Sequence, residues 1–144
     1  MKEALFNILS GHQFINIITR RIVIDAFAGS GALGLEALSR GAALSIFIEN
    51  DQNAIKTLEQ NIRKLDYHHR ARIIRADACA IDIPATEEAG LVIMDPPYEL
   101  GLAYPCMEAL EKGGWIGDET IIVLEHGSTK EPCLLYTSDA ADEE

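Results

Sequence analysis

The chain has 144 residues, of which 48% are hydrophobic and 24% charged, as is typical of one globular domain with a buried core. Its formal charge of −11 argues against a broad basic face for nucleic acid. The sequence has neither a secretory signal nor an apolar run near the roughly 20 residues of a membrane span, so we expect a cytoplasmic protein without membrane contact. Its three cysteines, Cys79, Cys106 and Cys133, are far apart in sequence and predict neither a metal site nor a disulfide framework.

Predicted strands and helices alternate along the chain. The strands are short runs of apolar and β-branched residues, such as RIVIDA, and the helices have apolar residues three or four apart. The predicted elements are, in chain order, a helix over 2–9, a strand over 21–26, a helix over 32–39, a strand over 43–49, a helix over 52–65, strands over 72–75 and 91–95, a helix over 102–111 and a strand over 120–125. This alternation predicts an α/β fold with a Rossmann-like, doubly wound and mostly parallel sheet.

A glycine-rich loop, DAFAGSGALG, follows the first predicted strand. Gly29, Gly31 and Gly34 have the GxGxxG spacing that lets a backbone approach a ligand at the start of a helix. Glu49 lies at the end of the second predicted strand, where an acid accepts hydrogen bonds from ribose hydroxyls. These two features fit a nicotinamide dinucleotide and S-adenosylmethionine equally well.

Two further acids distinguish between these cofactors. Asp25 lies at the tip of the first strand, where a carboxylate would repel a pyrophosphate but attract the amino group and sulfonium of S-adenosylmethionine. Asp77 follows the third strand and is placed to accept a hydrogen bond from an adenine amino group. A structural role is the alternative for each, because Asp25 can cap the loop through the backbone and Asp77 can cap a helix.

The motif Asp95-Pro96-Pro97-Tyr98 ends the fourth predicted strand, beside the tip of the first strand in a doubly wound sheet. The Asp95 carboxylate and the Pro96 carbonyl can accept hydrogen bonds from an exocyclic amine and draw its lone pair out of the ring. The two prolines fix these acceptors in place. Tyr98 can stack on a base that has left its helix. The motif therefore predicts methylation of an amino group.

The segments EALFNIL, DAFAGSGALGLEALSRGA, FIEND, DPPY and VLEHG, in this order, resemble the RsmD-like family of 16S ribosomal RNA guanine-N2 methyltransferases. The resemblance implies S-adenosylmethionine as cofactor, the N2 amine of a guanine as acceptor, and ribosomal RNA or the assembling small subunit as partner of a monomeric enzyme. It places around the cofactor Asp25, Phe27, Gly29, Gly31, Glu49 and Asp77. It places at the target guanine Asp95, Pro96, Pro97 and Tyr98, with no metal.

The two ends of the chain depart from this family, whose members carry a basic segment before EALFNIL and two further strands after VLEHG. Residues 133–143 read CLLYTSDAADE, and their back-translation resembles the end of a transposase-type sequencing adaptor, in frame. We therefore expect a methyltransferase domain over 1–132, truncated at both ends, and a non-native tail over 133–144. The sheet is then expected to end with the strand over 120–125, which leaves an open edge. A native acidic tail is the alternative.

Three other functions remain open from the sequence. The acceptor can be a DNA amino group or a protein glutamine, because an amide poses the same lone-pair problem. The glycine loop also fits a nicotinamide-dependent oxidoreductase. The third alternative is a non-catalytic RNA-binding module.

Overall fold

The computed structural model describes residues 6, 15–95, 103–126 and 131–136. Its elements are, in chain order, α1 (Ile15–Ile18), β1 (Ile22–Ala26), α2 (Ala32–Ser39), β2 (Leu44–Glu49), α3 (Gln52–Lys64), β3 (Ala71–Arg75), a 3-10 turn (Ala78–Ala80), β4 (Leu91–Met94), α4 (Ala103–Lys112), β5 (Ile121–His126) and β6 (Glu131–Tyr136). All five predicted strands form, within one or two residues of their expected bounds.

These strands build one six-stranded sheet in the order β3-β2-β1-β4-β5-β6. The pairs from β3 to β5 are parallel, and only the β5–β6 pair is antiparallel. The strand order reverses at β1, between β2 and β4, and ligands bind in the crevice beyond the strand ends at such a point. The predicted doubly wound α/β fold is confirmed.

Apolar residues bury both faces of the sheet, as the continuous apolar strands predict. Every residue of β1 is buried. One face packs Phe47 and Leu58 together with α2 and α3. The other face packs Ile24 and Trp115 together with α4. Trp115 is 2% exposed, and its indole N–H donates to the Ile83 carbonyl at 2.9 Å, so this side chain packs at the corner after α4.

The helices follow from local sequence signals. The Asp51 side chain accepts the Ala54 N–H at 2.8 Å and caps α3, whose buried residues, Leu58 and Ile62, are four apart. The helix expected over 2–9 lies outside the described residues except for Phe6, which is helical and buried. Within the described ranges, no helix is long and apolar enough to cross a membrane.

The expectation that the sheet ends with the strand over 120–125 is wrong. Strand β6 pairs with β5 along all six residues, from Ile121 opposite Tyr136 to His126 opposite Glu131. The physical reason is that EPCLLY is apolar enough to form a strand and follows β5 closely enough to fold back on its unpaired edge. The part of 133–144 that forms β6, Cys133–Tyr136, is thus integrated into the sheet.

The expectation that the cysteines form no disulfide is also wrong. Cys79, in the 3-10 turn after β3, is joined to Cys106 of α4, 27 residues further along the chain. Separation in sequence says little about distance here, because the β4–α4 crossover returns to the face of the sheet where the turn lies. The disulfide therefore links the region beyond β3 to the helix that follows β4.

Candidate cofactor and acceptor site

Four predicted acids lie at the carboxyl ends of neighbouring parallel strands. Asp25 belongs to β1 and Glu49 ends β2, while Asp77 and Asp95 follow β3 and β4 directly. Because β1, β2 and β4 run parallel and pair side by side, their ends meet at one edge of the sheet. The sheet thus brings these acids, from four separate parts of the sequence, to the same edge.

The glycine loop, residues 27–34, is held in a conformation that favours glycine at two positions. Gly29 and Gly31 have φ angles of +58° and +86°, in the left-handed region that other residues adopt only with strain. A side chain on Gly29 would contact no atom within 4 Å, so the surface above this residue is open to a ligand. A side chain on Gly31 would overlap Leu58, so that part of the loop is closed from below.

Gly34, in the first turn of α2, is held at both of its backbone polar groups. Its N–H donates to Asp25 Oδ2 at 2.9 Å, and its carbonyl accepts the Ser45 hydroxyl at 2.8 Å. Both bonds are buried, and a side chain on Gly34 would overlap the Phe47 ring. The start of α2 is therefore pinned to β1 and β2 at close range.

Asp25 is 2% exposed, and its electrostatic surroundings are unusual. Burial, with smaller contributions from the charges of Asp95 and Glu49, raises the pKa of Asp25 to about 8 against the lowering effect of the bond from Gly34. Asp25 is therefore mostly protonated at pH 7 in the protein by itself. A cation placed beside it would favour the carboxylate form.

Glu49 is half-buried and connects the end of β2 to the glycine loop. Its Oε1 atom accepts the Gly29 N–H at 2.7 Å, and its Oε2 atom accepts the Asp51 N–H at 3.0 Å and the Asn50 N–H at 3.2 Å. These bonds fix the carboxylate directly beside the loop. The lone pair that remains on Oε1 can accept a hydrogen bond from a diol.

Of the remaining predicted site residues, three are described by the structure and three are not. Asp77 is exposed and accepts the Cys79 N–H at 2.9 Å, so it caps the 3-10 turn, and Asp95 is exposed beyond β4. Phe27 has a φ angle of +60° at the start of the glycine loop. Pro96, Pro97 and Tyr98 lie outside the described residues.

Sequence reasoning missed several residues that shape the loop. Ser45 and Phe47 hold Gly34 from β2, and Leu58 lies beneath Gly31 from α3. Asn61, one turn after Leu58, donates from its side-chain amide to the Ser30 carbonyl at 3.0 Å. Ser45, fully buried within an apolar strand, is the only one of these with a sequence signal, because a polar residue in such a strand needs a partner.

The chemistry of this edge fits S-adenosylmethionine. An open glycine, a fixed carboxylate beside it and a buried acid suit a ligand with a diol and positive charge. Among the described residues, no group of three or more His, Cys, Asp or Glu side chains is arranged to hold a metal ion.

A family model described as Conserved hypothetical protein 95 matches residues 1–138. The chain belongs to this family. The Ribosomal RNA small subunit methyltransferase D of Escherichia coli strain K12 is 37% identical over 125 residues, which are 87% of this chain and 60% of that protein. The chain thus spans about three fifths of this relative's length.

Solved structures share the fold of this family member. A Haemophilus influenzae protein assigned to the methylases is 30% identical, with a TM-score of 0.73 over 96% of this chain and 83% of its own. An RNA methyltransferase from Salinibacter ruber, in complex with S-adenosyl-L-homocysteine, is 16% identical, with a TM-score of 0.68 over 86% of this chain and 74% of its own. The second likeness concerns the fold alone.

Proposed function

We propose that this chain is the cofactor-binding core of an S-adenosylmethionine-dependent methyltransferase whose acceptor is the N2 amine of a guanine in small-subunit ribosomal RNA. The observation that carries the proposal is the convergence of Asp25, Glu49 and Asp95 on a glycine loop. The name of the E. coli relative, which is longer than this chain, supports ribosomal RNA as the substrate.

The charge of this site separates the proposed cofactor from a nicotinamide dinucleotide. The glycine loop by itself accommodates either ligand. Asp95 and Glu49 both act electrostatically on Asp25, so all three acids contribute to the potential at this loop. A pyrophosphate at this loop would be repelled by neighbouring carboxylates, whereas the sulfonium and amino groups of S-adenosylmethionine are attracted. We therefore disfavour the oxidoreductase alternative.

Each acid of the cofactor half has a separate role in the proposed mechanism. Glu49 is already oriented by three backbone N–H groups and accepts the ribose hydroxyls. Asp25 holds the start of α2 through Gly34 and, in the carboxylate form that a cation favours, adds negative potential beneath the positively charged end of the cofactor. Asp77 accepts from the adenine amino group, and Phe27, Gly29 and Gly31 shape the backbone around the ligand. S-adenosylmethionine, when bound, supplies a methyl group activated by its sulfonium.

The acceptor half of the proposal rests on Asp95 and the residues that follow it. The carboxylate accepts a hydrogen bond from the guanine amine, and the Pro96 carbonyl accepts a second one. Together they favour the tetrahedral nitrogen that attacks the methyl group. Pro97 stiffens the backbone, and Tyr98 stacks on the base. Asp95 follows β4, and β4 pairs with β1, so Asp95 lies at the same edge of the sheet as the glycine loop.

We further propose that the enzyme acts as a cytoplasmic monomer on ribosomal RNA or on the assembling small subunit. The support is the activity for which the E. coli relative is named, together with a net charge of −11 that disfavours tight self-association. A protein with this charge is unsuited to binding RNA through phosphates alone. Shape and base contacts then carry more of the recognition.

Two measurements test the proposal. Calorimetry should detect binding of S-adenosyl-L-homocysteine and none of NAD. Incubation of small-subunit RNA or assembling subunits with the protein and S-adenosylmethionine, followed by nucleoside mass spectrometry, should yield N2-methylguanosine. Binding of NAD alone would overturn the cofactor assignment. A methyl group on DNA or on a protein glutamine, but not on RNA, would overturn the acceptor.

A further inference from the structure

The glycine loop is supported from one side by helix α3, through two residues one turn apart. Leu58 is fully buried and lies so close beneath Gly31 that any side chain there would overlap it. Asn61 lies at the edge of the same face, and its Nδ2 atom donates to the Ser30 carbonyl at 3.0 Å, across 31 residues of sequence. An apolar contact and a polar contact thus join α3 to neighbouring residues of the loop.

The bond from Asn61 completes the anchoring of one peptide group. The Ser30 carbonyl and the Gly31 N–H belong to the same planar peptide. The Gly31 N–H donates to the Ala28 carbonyl at 2.9 Å, and the Ser30 carbonyl accepts from Asn61. Both ends of this peptide are held, so its plane cannot rotate without breaking a hydrogen bond. Glycines on both sides, Gly29 and Gly31, otherwise leave this segment with unusual rotational freedom.

We infer that Asn61 is a positioning residue for the cofactor site: it holds the Ser30–Gly31 peptide, and thereby keeps the glycine loop in its binding conformation before the ligand arrives. This inference rests on the proposed function. Asn61 contacts the loop from behind and acts through Ser30. Its contribution to binding is the ordering of a loop that the ligand would otherwise have to order at a cost in affinity.

Helix propensity distinguishes this role from a purely structural one. Asn is a weaker helix former than Ala, and Asn61 lies within α3, three residues before its end. Substitution by Ala therefore removes the bond to Ser30, while the gain in helix propensity offsets the stability that this bond contributes. If Asn61 served stability alone, a variant that is as stable as the wild type would also bind the ligand as tightly. The neighbouring Gln60, exposed on the same helix, offers a matched control.

The test compares Asn61→Ala and Gln60→Ala in the full chain, with S-adenosyl-L-homocysteine as the probe. Loss of one intramolecular hydrogen bond predicts a rise in Kd of about 3- to 10-fold for Asn61→Ala. Gln60→Ala should leave Kd within about twofold, and both variants should melt close to the wild-type temperature, because in Asn61→Ala the gain in helix propensity offsets the lost bond. Amide exchange should be faster at the Gly31 N–H in Asn61→Ala and unchanged at Ile24 in β1.

Equal affinity of Asn61→Ala and wild type, or a loss of affinity that accompanies a fall in melting temperature, would overturn the inference. Failure of the wild-type chain to bind S-adenosyl-L-homocysteine would instead contradict the proposed function. In that event the exchange rate of the Gly31 N–H still decides whether Asn61 holds the loop, since that measurement needs no ligand. Unchanged exchange in Asn61→Ala would overturn it.

Discussion

Asp25 is a buried acid that lies where β1, the glycine loop and α2 meet. Its carboxyl group accepts the Gly34 N–H and lies close enough to Asp95 and Glu49 for their charges to raise its pKa. An apolar residue of similar size could not accept the Gly34 N–H, which would then be left buried without a partner. The same atom arrangement therefore serves the fold and maintains an acid next to the proposed cofactor.

The stability contributed by Asp25 should depend on pH in a defined direction. The folded protein keeps this proton until about pH 8, whereas the unfolded chain releases it near the ordinary pKa of 3.8. The folded state binds more protons between these values, so the free energy of unfolding falls as pH rises through that window. Asp25→Asn keeps an acceptor for Gly34 and should flatten this fall, as urea titrations at several pH values would show.

The exposed Asp118 provides the control for this change, because Asp118→Asn makes the same substitution at a surface position. Its pH profile should match that of the wild type. If Asp25→Asn also kept the wild-type slope, the raised pKa of Asp25 would be refuted.

Glu49 should control the affinity for the cofactor. Glu49→Ala removes a carboxylate that the loop and the start of α3 have oriented beside Gly29. Loss of charge-assisted hydrogen bonds costs about 1.5–3 kcal/mol each, so Kd for S-adenosyl-L-homocysteine should rise by about 10- to 150-fold. Calorimetry measures this rise, and Glu59→Ala, which removes an exposed acid of α3, should leave Kd unchanged. Unaltered affinity of Glu49→Ala would remove this residue from the site.

Asp95 should affect turnover much more than cofactor affinity. Its proposed hydrogen bond strengthens only as the amine nitrogen becomes tetrahedral, so Asp95→Ala should lower kcat steeply and leave the cofactor Kd nearly unchanged. Single-turnover methyl transfer and calorimetry on the same preparation separate the two quantities. A variant that mainly weakened cofactor binding would place Asp95 in the wrong half of the site.

At the scale of elements, the predicted strands were recovered because each is a short apolar run bounded by polar or glycine residues. The acids at their ends followed from the same pattern, since a parallel sheet brings all its carboxyl ends to one edge. Contacts between elements had no such signal. Neither the bond from Asn61 to Ser30 nor the meeting of Cys79 with Cys106 can be read from spacing, because both depend on how the helices pack on the sheet.

The disulfide between the 3-10 turn and α4 should stabilise the fold under oxidising conditions. Cross-links of this kind stabilise by roughly 2–4 kcal/mol, chiefly through the unfolded chain. Without reductant, Cys79→Ala should therefore melt below the wild type, and addition of dithiothreitol should lower only the wild-type melting temperature. Equal melting temperatures in the absence of reductant would show that the two thiols remain unjoined in solution.

At the scale of the whole molecule, the sheet has an antiparallel edge that the sequence did not predict. Residues 133–136, the last four of β6, were assigned to a tail because of their likeness to an adaptor, and that assignment concerned their origin. Strand pairing depends on other properties, namely β-prone side chains and an unpaired neighbouring edge. Residues 133–136 can therefore complete the sheet whatever their origin, and the non-native origin of 133–144 stays a prediction.

The contribution of β6 to the whole fold can be measured with two shortened chains. Ending the chain at residue 130 removes β6 and exposes the edge of β5 along Ile121–His126, whereas ending it at residue 136 keeps every β5–β6 pair. Because several net hydrogen bonds of about 0.5–1.5 kcal/mol each are lost, the shorter chain should unfold at least about 2 kcal/mol more easily. Its bare edge should also promote self-association, which sedimentation would detect. The chain that ends at 136 should stay within about 0.5 kcal/mol of the full chain, as for most surface changes. If both shortened chains matched the full chain in urea titrations, β6 would add nothing to stability, and the sheet would in effect end at β5.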